Sequence, residues 1–173
     1  TRASARVLFL EVLELLGDDS VIPTLVRTAH GGDSRAAEAA IHALARIGGA
    51  TEVDIIVELI MNGESDLKQP ATLALSAIGK RHPQRVADQV RLMIERKGQN
   101  AVWLSVLGAL RRSKDLDVVV NGVRSANPKI RKAALGASLS YGGSFPEEVL
   151  LEALNDAVAQ VRAAAARALG AFS

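Results

Sequence analysis

The chain has 173 residues, of which 49% are hydrophobic and 23% charged, with a formal net charge of +2. This composition is typical of a folded protein and argues against disorder, and the lack of cysteine excludes a disulfide framework and a thiolate nucleophile. No apolar run is long enough to span a membrane and no signal-peptide pattern is visible, so we expect a cytoplasmic protein without a membrane span.

The sequence repeats with a nearly constant period. Apolar helical stretches end at positions 17, 48, 79, 111, 142 and 173, which are 31, 31, 32, 31 and 31 residues apart. A period held over six copies predicts stacked helical repeats. Four of the ends are glycines, which we interpret as left-handed residues that terminate helices: Gly17, Gly48, Gly79 and Gly142.

Taken in chain order, the pattern predicts two kinds of helix. Long helices are expected near residues 2–16, 34–47, 66–78, 99–110, 128–141 and 157–171, and five shorter helices of about three turns lie between them. N-cap residues support three of the long helices, at Asp33-Ser34, Ser65-Asp66 and Asn127-Pro128. Prolines fall in the first turns of three short helices, at Pro23, Pro83 and Pro146.

Each long helix carries an apolar stripe made by the positions eight and five residues before its end. Because three-, four- and seven-residue spacings share one helix face, these residues are expected to pack against partner helices. The eighth-from-end positions are Phe9, Ala40, Ala71, Trp103, Ala134 and Ala165, and the fifth-from-end positions are Val12, Ala43, Ala74, Val106, Ala137 and Ala168. The chain is therefore predicted to be one all-α solenoid over residues 1–173.

The last helix carries a family resemblance. Residues Val161 to Gly170 resemble the second helix of HEAT-like repeats of the short bacterial type named after phycobilin lyases, and Ile130-Arg131 and Leu67-Lys68 resemble its opening. The hydrophobic–Arg pair is replaced by Ala36-Ala37 and by Gln99-Asn100 in two other copies. The resemblance implies a right-handed α–α superhelix of about five and a half helical pairs, with the long helices on its concave side.

Trp103 stands where four of the other five copies have Ala. One interpretation is that its side chain fills space beside a shifted helix, and the other is that it stacks on a ligand. A buried indole usually needs a polar partner, which the sequence does not identify.

In the geometry that the resemblance implies, the residues six before each helix end are candidates for a concave ridge. Small residues in the middle of that ridge shape a groove for a partner helix or an extended peptide, or else they reflect tight curvature. The candidates are Glu11, His42, Leu73, Ser105, Gly136 and Arg167.

Charge is distributed unevenly along the chain. Residues 1–79 hold six Lys and Arg against eleven Asp and Glu, whereas residues 80–132 hold thirteen against four. Two basic turns at equivalent repeat positions, about 10 Å apart if the repeats stack, are expected to attract an acidic protein surface, nucleic-acid phosphates or anionic lipid. The alternative is that these cations only oppose helix dipoles at C-termini. The first basic turn is Lys80, Arg81 and Arg85, and the second is Arg111, Arg112 and Lys114.

The sequence carries no signature of catalysis. HExxH, P-loop, GxGxxG and GxSxG motifs are absent, and His30, His42 and His82 are scattered, so no catalytic residue, cofactor or metal site is predicted. We expect a macromolecule-binding module, with protein as the favoured partner. Nucleic acid is disfavoured because no aromatic residues interleave with the basic turns. Enzymes of the DNA glycosylase or bilin lyase type remain an alternative, by analogy with relatives of the fold.

The first long helix is apolar on more faces than one neighbour covers. We therefore expect the chain to be a fragment in which further repeats or other domains of a longer protein cover this helix. The alternative is that dimer or crystal contacts cover it in isolation. Burial of Leu8, Phe9, Val12 and Leu16 by the chain alone would contradict the fragment hypothesis.

Overall fold

The structure is a computed structural model that describes residues 19–172. Within these residues the regular elements are all helical: ten α-helices and three short 3-10 helices. The all-α prediction is confirmed, whereas the predicted helix near 2–16 and the hypothesis about its burial lie outside the described residues. The α-helices are α1 (Ile22–Ala29), α2 (Ser34–Ile47), α3 (Val53–Asn62), α4 (Lys68–Arg81), α5 (Pro83–Lys97), α6 (Ala101–Leu110), α7 (Leu116–Val123), α8 (Pro128–Ser138), α9 (Glu147–Ala153) and α10 (Ala159–Phe172).

The chain divides into two compact units, with the boundary between Gln89 and Val90 inside α5. In the N-terminal unit α1 packs on α2, α3 packs on α4, and α2 stacks on α4. In the C-terminal unit α6, α8 and α10 stack in sequence, while α7 packs on α8 and α9 packs on α10. Within each unit the long helices therefore stack together and carry the short helices as pairs, which is the arrangement that the period predicts.

The two predicted stripes lie in the cores, beside larger Leu, Ile and Val side chains. Because most of the stripe side chains are Ala, neighbouring long helices approach closely and bury their shared face. Gly108 of α6 lies against α8, where an added Cβ would lie 2.7 Å from the Cβ of Ala137. All described stripe residues are buried: Ala40, Ala71, Trp103, Ala134, Ala165, Ala43, Ala74, Val106, Ala137 and Ala168.

The observed helix starts agree best with the predicted ones where a side chain caps the helix. Asp33 accepts hydrogen bonds from the amides of Arg35 and Ala36 and starts α2 where predicted, and Asn127 accepts one from Lys129 at the start of α8. The cap predicted at Ser65-Asp66 is wrong, because α4 begins at Lys68 and its N-cap residue makes no side-chain bond. Of the three predicted caps, the two whose side chains form hydrogen bonds mark the observed start of their helix, and the third does not.

The third repeat departs most from the prediction. Helix α4 continues through Gly79 to Arg81, and it ends there because Pro83 disfavours the helical conformation at His82, whose φ and ψ are −128° and 60°. Helix α5 has 15 residues and is the longest described helix, although a short helix was predicted there. Its sequence contains no interrupting glycine until Gly98, which has a φ of 83°.

The glycines at the repeat ends are mostly not left-handed. Gly48 is extended, with a φ of −62°, and Gly79 is helical, so the prediction is wrong at both. Gly142 does have a positive φ of 55°, but it does not terminate the long helix, because α8 already ends at Ser138. Gly17 lies outside the described residues. Close approach explains Gly48, since a Cβ there would lie 2.5 Å from the carbonyl oxygen of Leu44.

Candidate interaction surfaces

The ridge is exposed in every described repeat. Its residues lie on the long helices at the positions predicted from the period, one on each helix, and Leu73 has 55% of its surface exposed. Glu11 lies outside the described residues. The ridge is hereafter the set His42, Leu73, Ser105, Gly136 and Arg167, all of which are exposed.

The first basic turn is largely engaged within the N-terminal unit. The Arg81 guanidinium donates to the carbonyl oxygens of Ala45 (3.0 Å) and Gly48 (2.6 Å), at the C-terminal end of α2. Arg85 pairs with Asp54 at 2.6 Å. Arg81 therefore opposes the dipole of α2, as the structural alternative predicts, and Lys80 is an exposed cation of this turn.

The second basic turn also faces partly inward. Arg111 is exposed and ends α6 in the left-handed conformation, with a φ of 54°. The Arg112 side chain is only 15% exposed, and its Nε lies 3.6 Å from Oδ2 of Asp115. Lys114 is exposed, and its carbonyl oxygen accepts a hydrogen bond from Arg91. The distance between the two basic turns stays a prediction, because one lies in each unit.

A buried polar cluster in the C-terminal unit was not predicted. Asp115 is fully buried, and its Oδ1 accepts a hydrogen bond of 2.7 Å from Nε of Arg91. Its Oδ2 has no hydrogen-bond partner, although Arg112 lies close by. Burial, and secondly the Asp115 charge, raise the pKa of Tyr141 to about 12, and the phenol donates to the Leu107 carbonyl at 3.4 Å.

The hydrophobic–Arg pair of the repeats has a structural role. Arg131 forms a bidentate pair with Asp156, at 2.6 and 2.9 Å, and also donates to the carbonyl of Ser125 in the preceding loop. Arg162 donates to the carbonyls of Asp156 and Ala157 in its own preceding loop. The hydrogen bonds from Arg131 hold the pKa of the Asp156 carboxyl below its usual value. The arginine of this motif therefore fastens loops and is not a free binding group.

Trp103 fills the core of the C-terminal unit. Its side chain is fully buried, which supports the interpretation as a space-filling residue and leaves no face open for stacking on a ligand. The indole Nε1 has no hydrogen-bond partner. The helix holding Trp103 is capped by Asn100, whose side chain accepts from the Trp103 amide at 3.0 Å. Asn before an apolar run is a capping signal that sequence reasoning missed.

Each unit also has a groove, and the two grooves differ in charge. The groove of the N-terminal unit measures about 350 Å³ and includes Glu58 and Glu64 in its lining. The groove of the C-terminal unit measures about 580 Å³ and lies at the first turns of α6, α8 and α10. We call it the lysine groove, and its lining is Ala101, Pro128, Lys129, Lys132, Ala133, Val158, Gln160 and Val161.

The described residues contain no metal centre and no membrane-spanning helix. Over residues 19–172, no three His, Asp or Glu side chains come together in a group that could hold a metal ion. None of the helices in that range is both long and apolar enough to cross a bilayer.

Comparison with known families gives matches at both ends of the chain. A family model described as HEAT repeats matches residues 2–76, and one described as HEAT repeat matches residues 148–173. No curated protein matches the chain.

Proposed function

Because the chain carries HEAT repeats across most of its length and packs its helices in pairs, we propose that it is a protein-interaction module whose ridge binds a partner protein. The observation that carries this proposal is the exposure of the ridge in every described repeat. Within each unit, ridge positions that face solvent on successive stacked helices offer a partner an extended surface.

The ridge is favoured over the basic turns because of what the arginines contact. Arg81, Arg85 and Arg112 direct their guanidinium groups to carbonyls or carboxylates of their own unit. A partner that used these groups would have to compete with contacts already made. Three cations of the basic turns are exposed, and we expect them to support binding at the rim of the interface: Lys80, Arg111 and Lys114.

The other predicted roles are less well supported. Over residues 19–172, nucleic-acid binding finds little aromatic surface for base stacking, since Trp103 and Phe145 are buried and Tyr141 is half-buried. Glycosylase-type chemistry needs a carboxylate that reaches substrate, and Asp115 is fully buried and paired with Arg91. The assignment to the short bacterial type rests on the resemblance of residues 161–170, and a non-catalytic role and a cytoplasmic location are likewise predictions.

Site-specific photo-crosslinking tests the proposal. Benzoylphenylalanine in place of Leu73, on the ridge, should trap a partner protein in extracts of the source cells. Leu151 is a matched control, because it is 48% exposed and lies on the short helix α9. Mass spectrometry should identify a protein that is linked at position 73 and absent at 151. Equal trapping at both positions, or none at position 73, contradicts the proposal.

A further inference from the structure

The lysine groove combines an apolar lining with two cations. Ala101, Pro128 and Val158 contribute apolar surface, while Lys129 and Lys132 contribute positive charge. No Asp or Glu is among its lining residues. The groove therefore offers both burial of small apolar groups and attraction of negative charge.

Positive charge accumulates here against the usual preference of helices. The first turns of α6, α8 and α10 contain no acidic residue, although carboxylates are favoured at the positive end of the helix dipole. Lys129 instead stands in the first turn of α8, and Lys132 follows one turn later. Two cations at this end of a helix oppose its dipole, so helix stability does not account for them.

Neighbouring carboxylates leave this charge largely uncompensated. The Asp156 carboxylate accepts from the amide of Val158, which lines the groove, but its charge is offset by Arg131, which holds it in a bidentate pair. The Lys132 ammonium donates to the neutral side chain of Gln160 at 3.3 Å, and Lys129 is exposed. The groove thus presents a net positive field to a ligand.

The groove continues the ridge along the same helices. Lys132 lies one turn before the ridge residue Gly136 in α8, and Ala101 lies one turn before Ser105 in α6. A partner chain that lies on the ridge of the C-terminal unit reaches the groove without changing helix faces. The inference below therefore rests on the proposed function of the ridge.

We propose that the lysine groove binds an acidic segment of a partner protein, with carboxylates at Lys129 and Lys132 and small apolar side chains against Pro128 and Val158. Charge complementarity selects a negatively charged occupant, and the apolar lining selects a peptide that alternates such charges with apolar residues. Nucleic acid fits less well, because no aromatic residue lines the groove for base stacking.

Fluorescence anisotropy with the whole chain tests this proposal. The probes are a short labelled peptide that alternates Glu with Ala or Leu, the same peptide with Lys for Glu, and a short oligothymidylate. We expect the Glu peptide to bind more tightly than the other two. Lys129→Glu/Lys132→Glu should weaken its binding about tenfold or more, as expected for reversal of two interacting charges.

Two further variants separate the groove from general electrostatics. Lys68→Glu/Lys97→Glu makes the same change in net charge at exposed lysines that lie outside the groove, the ridge and the basic turns, and we expect less than about a twofold effect. Ala133→Phe fills the groove without changing its charge, and it should also weaken binding. Circular dichroism melting curves establish that each variant is folded.

Several results would overturn the proposal: no binding of the Glu peptide, equal weakening by both charge reversals, full binding by Ala133→Phe, or tighter binding of the oligothymidylate. The proposed function would survive these results if Leu73 still traps a partner. Conversely, groove binding without trapping at Leu73 would count against the ridge alone.

Discussion

The two units bury a carboxylate at the same place in the repeat and satisfy it in different ways. Glu52 and Asp115 stand two repeats apart, and each occupies the N-cap position of a short helix, α3 or α7. Glu52 accepts from the Gly49 amide at 2.6 Å and from the Thr51 hydroxyl at 2.8 Å, both within its own loop. Asp115 depends on Arg91, which lies 24 positions away, and on Arg112.

This difference shows that one repeat position serves two structural purposes. In the N-terminal unit the acid orders a local turn through neutral donors. In the C-terminal unit it joins α5 to the loop before α7 through a guanidinium, which makes its removal more damaging because a charge loses its partner. The C-terminal unit also buries Trp103 and half-buries Tyr141, where the N-terminal unit has Ala71 and Ile78 at the equivalent positions.

The largest expected effect concerns Trp103. Trp103→Ala should lower the free energy of unfolding by about 3–5 kcal/mol, because it opens a large cavity in a packed core. Trp103→Phe should lower it by less than about 1.5 kcal/mol, because the indole Nε1 has no hydrogen-bond partner to lose. Urea unfolding followed by circular dichroism measures both. A loss for Phe as large as that for Ala would mean that the indole nitrogen is engaged.

The next largest losses of stability are expected for substitutions of the two buried carboxylates, and they test the difference between the two units directly. Asp115→Asn should cost about 3 kcal/mol, because Arg91 and Arg112 lose a buried counter-charge. Glu52→Gln should cost about 1 kcal/mol, because an amide oxygen still accepts one of the two local hydrogen bonds. The same urea experiment ranks them. Equal losses would show that the two carboxylates are equivalent despite their different partners.

The sequence predicted the fold where a residue's role is local or periodic. The Ala stripes, the ridge exposure and the caps at Asp33 and Asn127 follow from spacing and from hydrogen bonds within a few residues. The end of α4 was missed because Pro83 acts on His82, beyond the glycine at which the period places the end.

The candidate site was predicted less completely. The sequence located the basic turns, but it does not reveal that Arg81 reaches a carbonyl 33 positions away or that Arg112 faces a buried Asp115. The Arg81 contact depends on how successive repeats stack, and the burial of Asp115 depends on tertiary packing, so periodicity encodes neither. The lysine groove was missed for the same reason, since its lining comes from three helices.

A smaller change in stability is expected when either of two glycines in the stacked long helices is replaced by alanine. Gly108 stands where α2 carries Ala45, and Gly108→Ala should cost about 1–3 kcal/mol because its Cβ would meet Ala137 of α8. Gly136→Ala should instead stabilise by up to about 1 kcal/mol, because the space around it is open and Ala favours the helix. Thermal unfolding compares the two. Destabilisation by Gly136→Ala would show that the ridge is packed against something within the chain.

The smallest effect at neutral pH concerns Tyr141. Burial and the Asp115 charge raise its pKa to about 12, whereas an unfolded tyrosine titrates near pH 10. Because folding raises this pKa, the contribution of the phenol to stability is complete below about pH 10 and is lost as the pH rises towards about 12. Tyr141→Phe should therefore lose less stability than the wild type over that interval. The chain has one tyrosine, so its ultraviolet absorbance reports the titration directly, and Asp115→Asn should lower the midpoint while Glu52→Gln leaves it unchanged. A midpoint near 10 in the folded wild type would contradict the burial of this phenol.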